Sequence, residues 1–444
     1  MDGAGRRGRL KWVSPWVSRG PHIRDLTTIA IDPPPLVSPM RVAGVAAIGL
    51  LLSLSLIVNA IGPGPAEPVG VDVSTSPSGD DGTEQASALY TDLQHVVRRN
   101  QGDTRDITLR GDYAYTAGHV GIRIYDISDP TNPTLVGSDY CPSRDLAVQG
   151  DTLAVVREGW GEWNCGDSDR GVAIYDVSDP TDPTFVRDFD VPAHTITAQP
   201  GTDRIHIASS DLVRDVSLRS GFQEIIRAPS PASATMAPRF YFPTLAENGA
   251  PVNAPSCHEI TFNAAGTRAF CAGVVETHIW DTSDPADIRV LSVIHNPSIS
   301  IHHGAFVDAT GDLLVLNDEF AGVLTAQADA CLPLTQKSPY GALWFYDISD
   351  ETTPVPLSWI EVPSNSAFPY YCTSHFGNIL PNNQQLVWGW YSAGPVLVDF
   401  SDMLQPRVED HSVVPDALTW GAYYHDGYVY TGDMNRGFEV FALN

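Results

Sequence analysis

Two lysines, Lys11 and Lys337, are all that 444 residues contain, and 26 Lys and Arg face 53 Asp and Glu, a formal net charge of -27. Residues 1–60 hold seven of the basic and three of the acidic residues, which leaves 26 - 7 = 19 basic against 53 - 3 = 50 acidic beyond them, a net -31. A body this acidic repels phosphate backbones and anionic headgroups, so nucleic acid is excluded as a partner. There is no Walker loop, GxSxG, HExxH or EF-hand loop, which removes the commonest nucleotide, hydrolase and calcium chemistries. "GAGRRG" at residue 3 fits a dinucleotide fingerprint only in letters, because no strand precedes it and no helix follows. Helical periodicity and βαβ spacing are missing from residue 90 onward, which disfavours an α/β fold.

Long apolar runs are also missing, except one. "VAGVAAIGLLLSLSLIV", residues 42–58, is uncharged and sits at the lower edge of what crosses a bilayer as a helix. With Met40 as the start it is the core of a signal peptide ending at Val58-Asn59-Ala60. With Met1 as the start, Arg6, Arg7, Arg9 and Lys11 form the cytoplasmic flank of a membrane anchor. Both readings put the rest of the chain outside the cytoplasm, secreted or held by a single N-terminal span. Residues 62–89, rich in Gly, Pro, Ser and Asp, bury too little to order themselves and read as a disordered linker.

The six cysteines all lie in the exported part and include no CxxC pair, which favours disulfides over thiolate metal sites. Cys257 and Cys271 flank the hairpin "CHEITFNAAGTRAFC" and are expected to face each other. Cys141 with Cys165 and Cys331 with Cys372 are pairings by elimination, and buried free thiols are the alternative.

What the chain has in abundance is repetition. "GIRIYDISDPTNP" at 121 returns as "GVAIYDVSDPTDP" at 171, "ETHIWDTSDPADI" at 276 and "ALWFYDISDETTP" at 342, with weaker copies at 211, 394 and 437. Marking the Asp position gives Asp126, Asp176, Asp215, Asp281, Asp347, Asp399 and Glu439, so six intervals over 439 - 126 = 313 residues average about 52. Each copy follows a hairpin signal such as "RDITLRGDYAYTAG" and precedes another apolar strand. Four antiparallel strands repeated at this period predict an all-β, seven-bladed β-propeller over residues 90–444, with residues 90–98 closing the last blade as its outer strand. It is preceded by a basic extension (1–39), the signal or anchor (40–61) and the linker (62–89). The Asp, Ser and Pro of the motif read as a blade corner, in which the side chains bind turn N–H groups and Pro ends the pairing.

"GIRIYDISDPTNPTLVG" and "GVAIYDVSDPTDPTFV" resemble the repeats of LVIVD-repeat proteins, over roughly residues 105–443 and most closely in the first two copies. The resemblance implies a propeller, often exported, and carries no common reaction or catalytic residue. The expected function is therefore a binding or scaffolding module at the cell exterior, a monomer taking a protein, glycan or small-molecule ligand.

Counting back from each corner locates the start of the channel-lining strand of each blade. Those starts read Arg105-Asp106, Arg144-Asp145, His194-Thr195, His258-Glu259, His302-His303, His375-Phe376 and Trp420-Gly421. Four consecutive blades offer histidine. If these converge, His194, His258, His302 or His303, and His375 could hold a transition metal, with Glu259 or Asp318-Glu319 joining or orienting them. Copper or iron would then support a metal-dependent oxidoreductase, by fold-level analogy with selenium-binding, methanethiol-oxidase-like propellers and carotenoid oxygenases. The alternatives are a purely structural polar ring linking the blades, as Arg105, Asp106, Arg144 and Asp145 could do alone, or an anion site built from the arginines and protonated histidine. Loops carrying Trp160, Trp163, Tyr370 and Tyr371 could contact a partner or cover the core.

Overall fold

The computed structural model describes residues 69–71, 89–99, 102–157, 171–209, 221–253, 256–319, 339, 341–362, 373–412 and 416–444. The basic extension, the apolar run 42–58, Cys165, Cys331, Cys372, Trp160, Trp163, Tyr370 and Tyr371 lie outside the described residues. Among the described residues the only helical turns are the 3-10 segments Pro231–Ser233 and Tyr391–Ala393, and no helix is long and apolar enough to cross a membrane.

Apart from two short parallel pairings, the strands are joined as antiparallel hairpins. The described strands form six sheets, one of eight strands. Divided where Ser374–Ile379 meets Thr419–His425 in a short parallel pairing, that sheet is two units of four. The inner strands are Ile107–Arg110, Ser143–Gln149, Thr195–Ala198, Glu259–Phe262, His302–Val307, Ser374–Ile379 and Thr419–His425. Each contacts the next, and the last contacts the first, so the units stand in a closed cycle. The strand Leu93–Arg99 pairs antiparallel with the last strand, Gly437–Leu443, so the two ends of the described ring are fastened in one sheet, with Leu93–Arg99 as its outer strand.

The core lies between units. Tyr125 and Ile107 of the first unit pack on Tyr430, Phe438 and Val440 of the last, and Trp344 and Tyr346 of the fifth pack on Phe270 and Ile279 of the fourth. Third strands such as "IRIYD" and "THIWD" are apolar on both faces because a neighbouring unit covers each face. The insert at 228–253 packs Phe240 and Phe242 edge-on against Trp280, so part of it extends the core.

The repeat motif forms the corner after each third strand. Asp126 accepts hydrogen bonds from the Ser128 N–H at 2.9 Å and hydroxyl at 2.6 Å, and Asp129 does the same for Thr131 at 3.0 and 2.6 Å. Asp281 with Ser283, Asp347 with Ser349 and Asp399 with Ser401 repeat the first of these turns. These bonds hold the Asp126 carboxyl below its usual range. Two marks depart from the corner. The third strand of the third unit is Phe222–Arg227, so Asp215 does not mark it, and residues 210–220 lie outside the described residues. In the last unit Ala442, opposite Tyr428, holds the corner place and Glu439 lies three residues earlier. Inside the segment read as linker, Val69–Val71 pairs parallel with Val355–Ile360, the outer strand of the fifth unit.

Cys257 and Cys271 form a disulfide with Cα atoms 5.2 Å apart, across the hairpin that ends in a turn at Gly266. Cys141 is also disulfide-bonded.

Candidate functional site

The inner strands open with the same irregularity. In four units the register of the first hairpin skips at the strand head, passing over Arg144, His303, His375 with Phe376, and Trp420. In the other three, Arg105, His194 and His258 donate their N–H at 2.7 Å to Ala117, Ala208 and Ala272. Ala208 and Ala272 already pair with Thr195 and Glu259, so two residues again stand against one. A bulge of this kind turns a side chain out of the alternation. Here it delivers one polar or aromatic side chain per unit to one belt.

The belt is continuous. His194 and His258 have ring centroids 4.2 Å apart, His258 and His303 4.6 Å, and His303 and His375 4.4 Å. His375 meets Trp420 at 4.1 Å, and the guanidinium groups of Arg105 and Arg144 lie 5.3 and 5.9 Å from that indole. Arg144 closes the circuit on His194, Nη1 to Nδ1 at 2.7 Å. All four histidines are buried, His303 and His375 to 1% and 2% exposure. Burial first, then neighbouring imidazoles, holds His303 well below the ordinary imidazole range. Burial likewise holds His375 down, so these two rings are neutral near pH 7.

Of the pair His302 and His303, the bulge selects His303. His302 turns away, with Nδ1 at 2.8 Å from the Thr277 hydroxyl and its backbone bridged to Val274, and burial pushes its pKa down to about 4. Among the carboxylates, Glu319 enters the belt. Oε2 is 3.4 Å from His303 Nε2, Oε1 is 3.8 Å from His375 Nε2, and the Tyr391 hydroxyl donates to Oε1 at 2.8 Å. Asp318 is occupied elsewhere, accepting from the N–H groups of Ser300, Ile301 and Gly341. His258, His303 and Glu319 bring their donor atoms within 4.8 Å of one another.

Glu259, Asp106 and Asp145 sit one residue further along their strands and line a cavity of ≈ 330 Å³ with Tyr423, Phe306 and Phe376. Glu259 accepts from Thr197 Oγ1 at 3.1 Å and its own strand's Ile260 N–H at 3.0 Å. Burial, reinforced by Asp106, pushes its pKa up to about 8. Burial raises both Asp106 and Asp145, and the neighbouring charges of Asp106 and Glu259 raise Asp145 further, while the Tyr423 hydroxyl donates to Asp106 at 2.6 Å. The expected positions thus divide into a histidine–aromatic belt and an acidic layer beyond it. Tyr391 and Tyr423 had no signal in the sequence, since neither stands at a strand start.

The LVIVD repeat family model matches residues 101–139 and 165–191, the first two copies of the motif. No curated protein matches the chain in sequence. Among solved structures, the β-propeller domain of Myceliophteria thermophila Cps50 (Swd1) superposes with a TM-score of 0.55 at 9% identity, over 78% of this chain and 99% of that one. The WD40 propeller domain of Doa1 superposes with 0.52 at 10% identity, over 80% and 98%. At such identities the likeness concerns fold alone. The first two units thus carry LVIVD repeats, on a ring whose fold is that of the β-propellers.

Proposed function

We propose that the protein is a seven-bladed, exported binding module, monomeric over residues 90–444, which takes its ligand at the mouth ringed by Arg105, Arg144, His194, His258, His303, His375 and Trp420. A β-propeller with LVIVD repeats is in general an interaction or scaffold module. The observation that carries the finer reading is the repeated bulge, which turns one such side chain per unit to a common belt. Burying Arg105 and four imidazoles there costs desolvation that an apolar plug would avoid. The closed cycle of inner strands supports seven blades. The Cys257–Cys271 disulfide supports an oxidising compartment, reached through the apolar run 42–58 as signal or anchor.

Thermal unfolding of the chelator-treated full chain with phosphate, a dicarboxylate, and neutral and sulfated oligosaccharides tests the binding reading. One class is expected to raise the midpoint of the wild type and not of Arg144→Gln. A flat response across the panel, or an equal shift in the variant, would overturn it. Thiol trapping in intact cells tests location: Cys257 and Cys271 recovered as free thiols would exclude export.

A further inference from the structure

We propose that His258, His303 and Glu319, with His375 beside them, form a binding site for one divalent transition-metal ion at the channel mouth. The inference deepens the mouth reading and names the first thing bound there. Two imidazoles and a carboxylate are the donor set of borderline metals such as zinc, copper(II) and iron(II). The three donor atoms already lie within 4.8 Å. Ligands about 2.1 Å from a metal stand about 3–3.5 Å apart, so side-chain movements of about 1 Å complete the site.

The surroundings are those a ligand set requires. His375 Nδ1 lies 2.7 Å from the Trp420 carbonyl, which can only accept, so Nδ1 carries the proton and Nε2 turns a bare lone pair toward Glu319. A backbone carbonyl on the far nitrogen is the usual device for orienting a metal-binding histidine. Tyr391 fixes the Glu319 carboxylate in the same way at 2.8 Å. The Asn317 amide end stands 3.2 Å from His303 Nδ1, and its Oδ1 has no other partner; with the amide turned so that Oδ1 accepts from Nδ1–H, His303 Nε2 is left as the ligand atom. Three candidates from the sequence fall outside the set. Arg144 can only donate, so it occupies the His194 Nδ1 lone pair, and His302 is bound at Thr277. Glu259 belongs to the acidic layer.

The test is zinc uptake by the chelator-stripped full chain, followed by cobalt(II) substitution and visible spectroscopy. The wild type is expected to retain about one equivalent of Zn²⁺ through gel filtration and to give the intense d–d bands of a low-coordinate cobalt site. Glu319→Gln and His303→Gln should each weaken Zn²⁺ binding by about 100-fold, and Tyr391→Phe by about 10-fold. Glu259→Gln should bind as the wild type does. Near-ultraviolet circular dichroism of each variant reports folding, and the wild-type measurement stands without any variant. A folded wild type that retains no zinc and gives no cobalt bands overturns the site, as does a Glu259→Gln variant that loses as much as Glu319→Gln. Because the ligand panel above is run on stripped protein, loss of the metal site leaves that result to be read separately.

Discussion

His206 offers a quantitative test of how the ring interior treats charge. It lies on Arg204–Ala208 of the third unit and is sealed from solvent. Its Nε2 is 3.2 Å from the Gln199 Oε1, its ring stands edge-on to Phe262 at 5.0 Å, and Nδ1, where a second proton would go, has no hydrogen-bond partner. Burial, and then the charge of Arg204, push its pKa down to about 3, against about 6.5 in an unfolded chain. A depressed pKa contributes stability that is complete above the unfolded value and is lost as pH falls toward the folded one, since unfolding then takes up a proton the native site refuses. Near pH 5, about 1.5 units below the unfolded value and still above the folded one, the loss is about 2 kcal/mol at about 1.4 kcal/mol per unit. Urea unfolding followed by tryptophan fluorescence, near pH 7 and near pH 5, measures it. His206→Leu and His206→Gln lower absolute stability by disturbing Gln199, but that effect is common to both pH values and cancels in the difference. Each variant should lose about 2 kcal/mol less than the wild type between the two conditions. Equal losses in variant and wild type would refute the assignment of a neutral, proton-refusing site.

Two further expectations concern the frame that holds the belt. A Cβ on Gly432 would sit 1.8 Å from the Arg105 carbonyl oxygen, at the seam between last and first units, so Gly432→Ala should cost about 3 kcal/mol by overpacking. Gly150→Ala, with a positive φ but nothing within 4 Å, should cost only about 1 kcal/mol; urea midpoints that rank the two the other way would contradict ring closure at that seam. Replacing Cys257 and Cys271 by Ala opens a loop with a sequence separation of 14, which chain entropy values at about 3 kcal/mol. Since Cys257 precedes His258, the same double variant should weaken zinc retention, and calorimetry showing neither change would separate the disulfide from the site.

The motif corner was legible because its bonds span two residues: Asp126 holds Ser128 and Asp129 holds Thr131 wherever the chain runs D-x-S-D. The Cys257–Cys271 hairpin was legible for the same reason, as was the strand closing the last unit, whose partner lacked a fourth strand. Counting from the corners also located Arg105, Arg144, His194, His258 and His375 at the strand heads. The third and seventh copies misled, because Asp215 and Glu439 match the motif in letters while the actual strands, Phe222–Arg227 and Gly437–Leu443, are fixed by pairing with distant segments.

By itself, then, the sequence determined the repeating corner, the propeller and the end of the ring where polar groups gather, all consequences of short-range bonds and apolar periodicity. Only tertiary structure decided which groups meet. A bulge reverses which face a residue serves, so His303 enters the belt while His302 leaves it, and Glu319 rather than Glu259 stands among the imidazoles. Those choices depend on one-residue shifts in register between paired strands, which composition and spacing along a single strand do not encode.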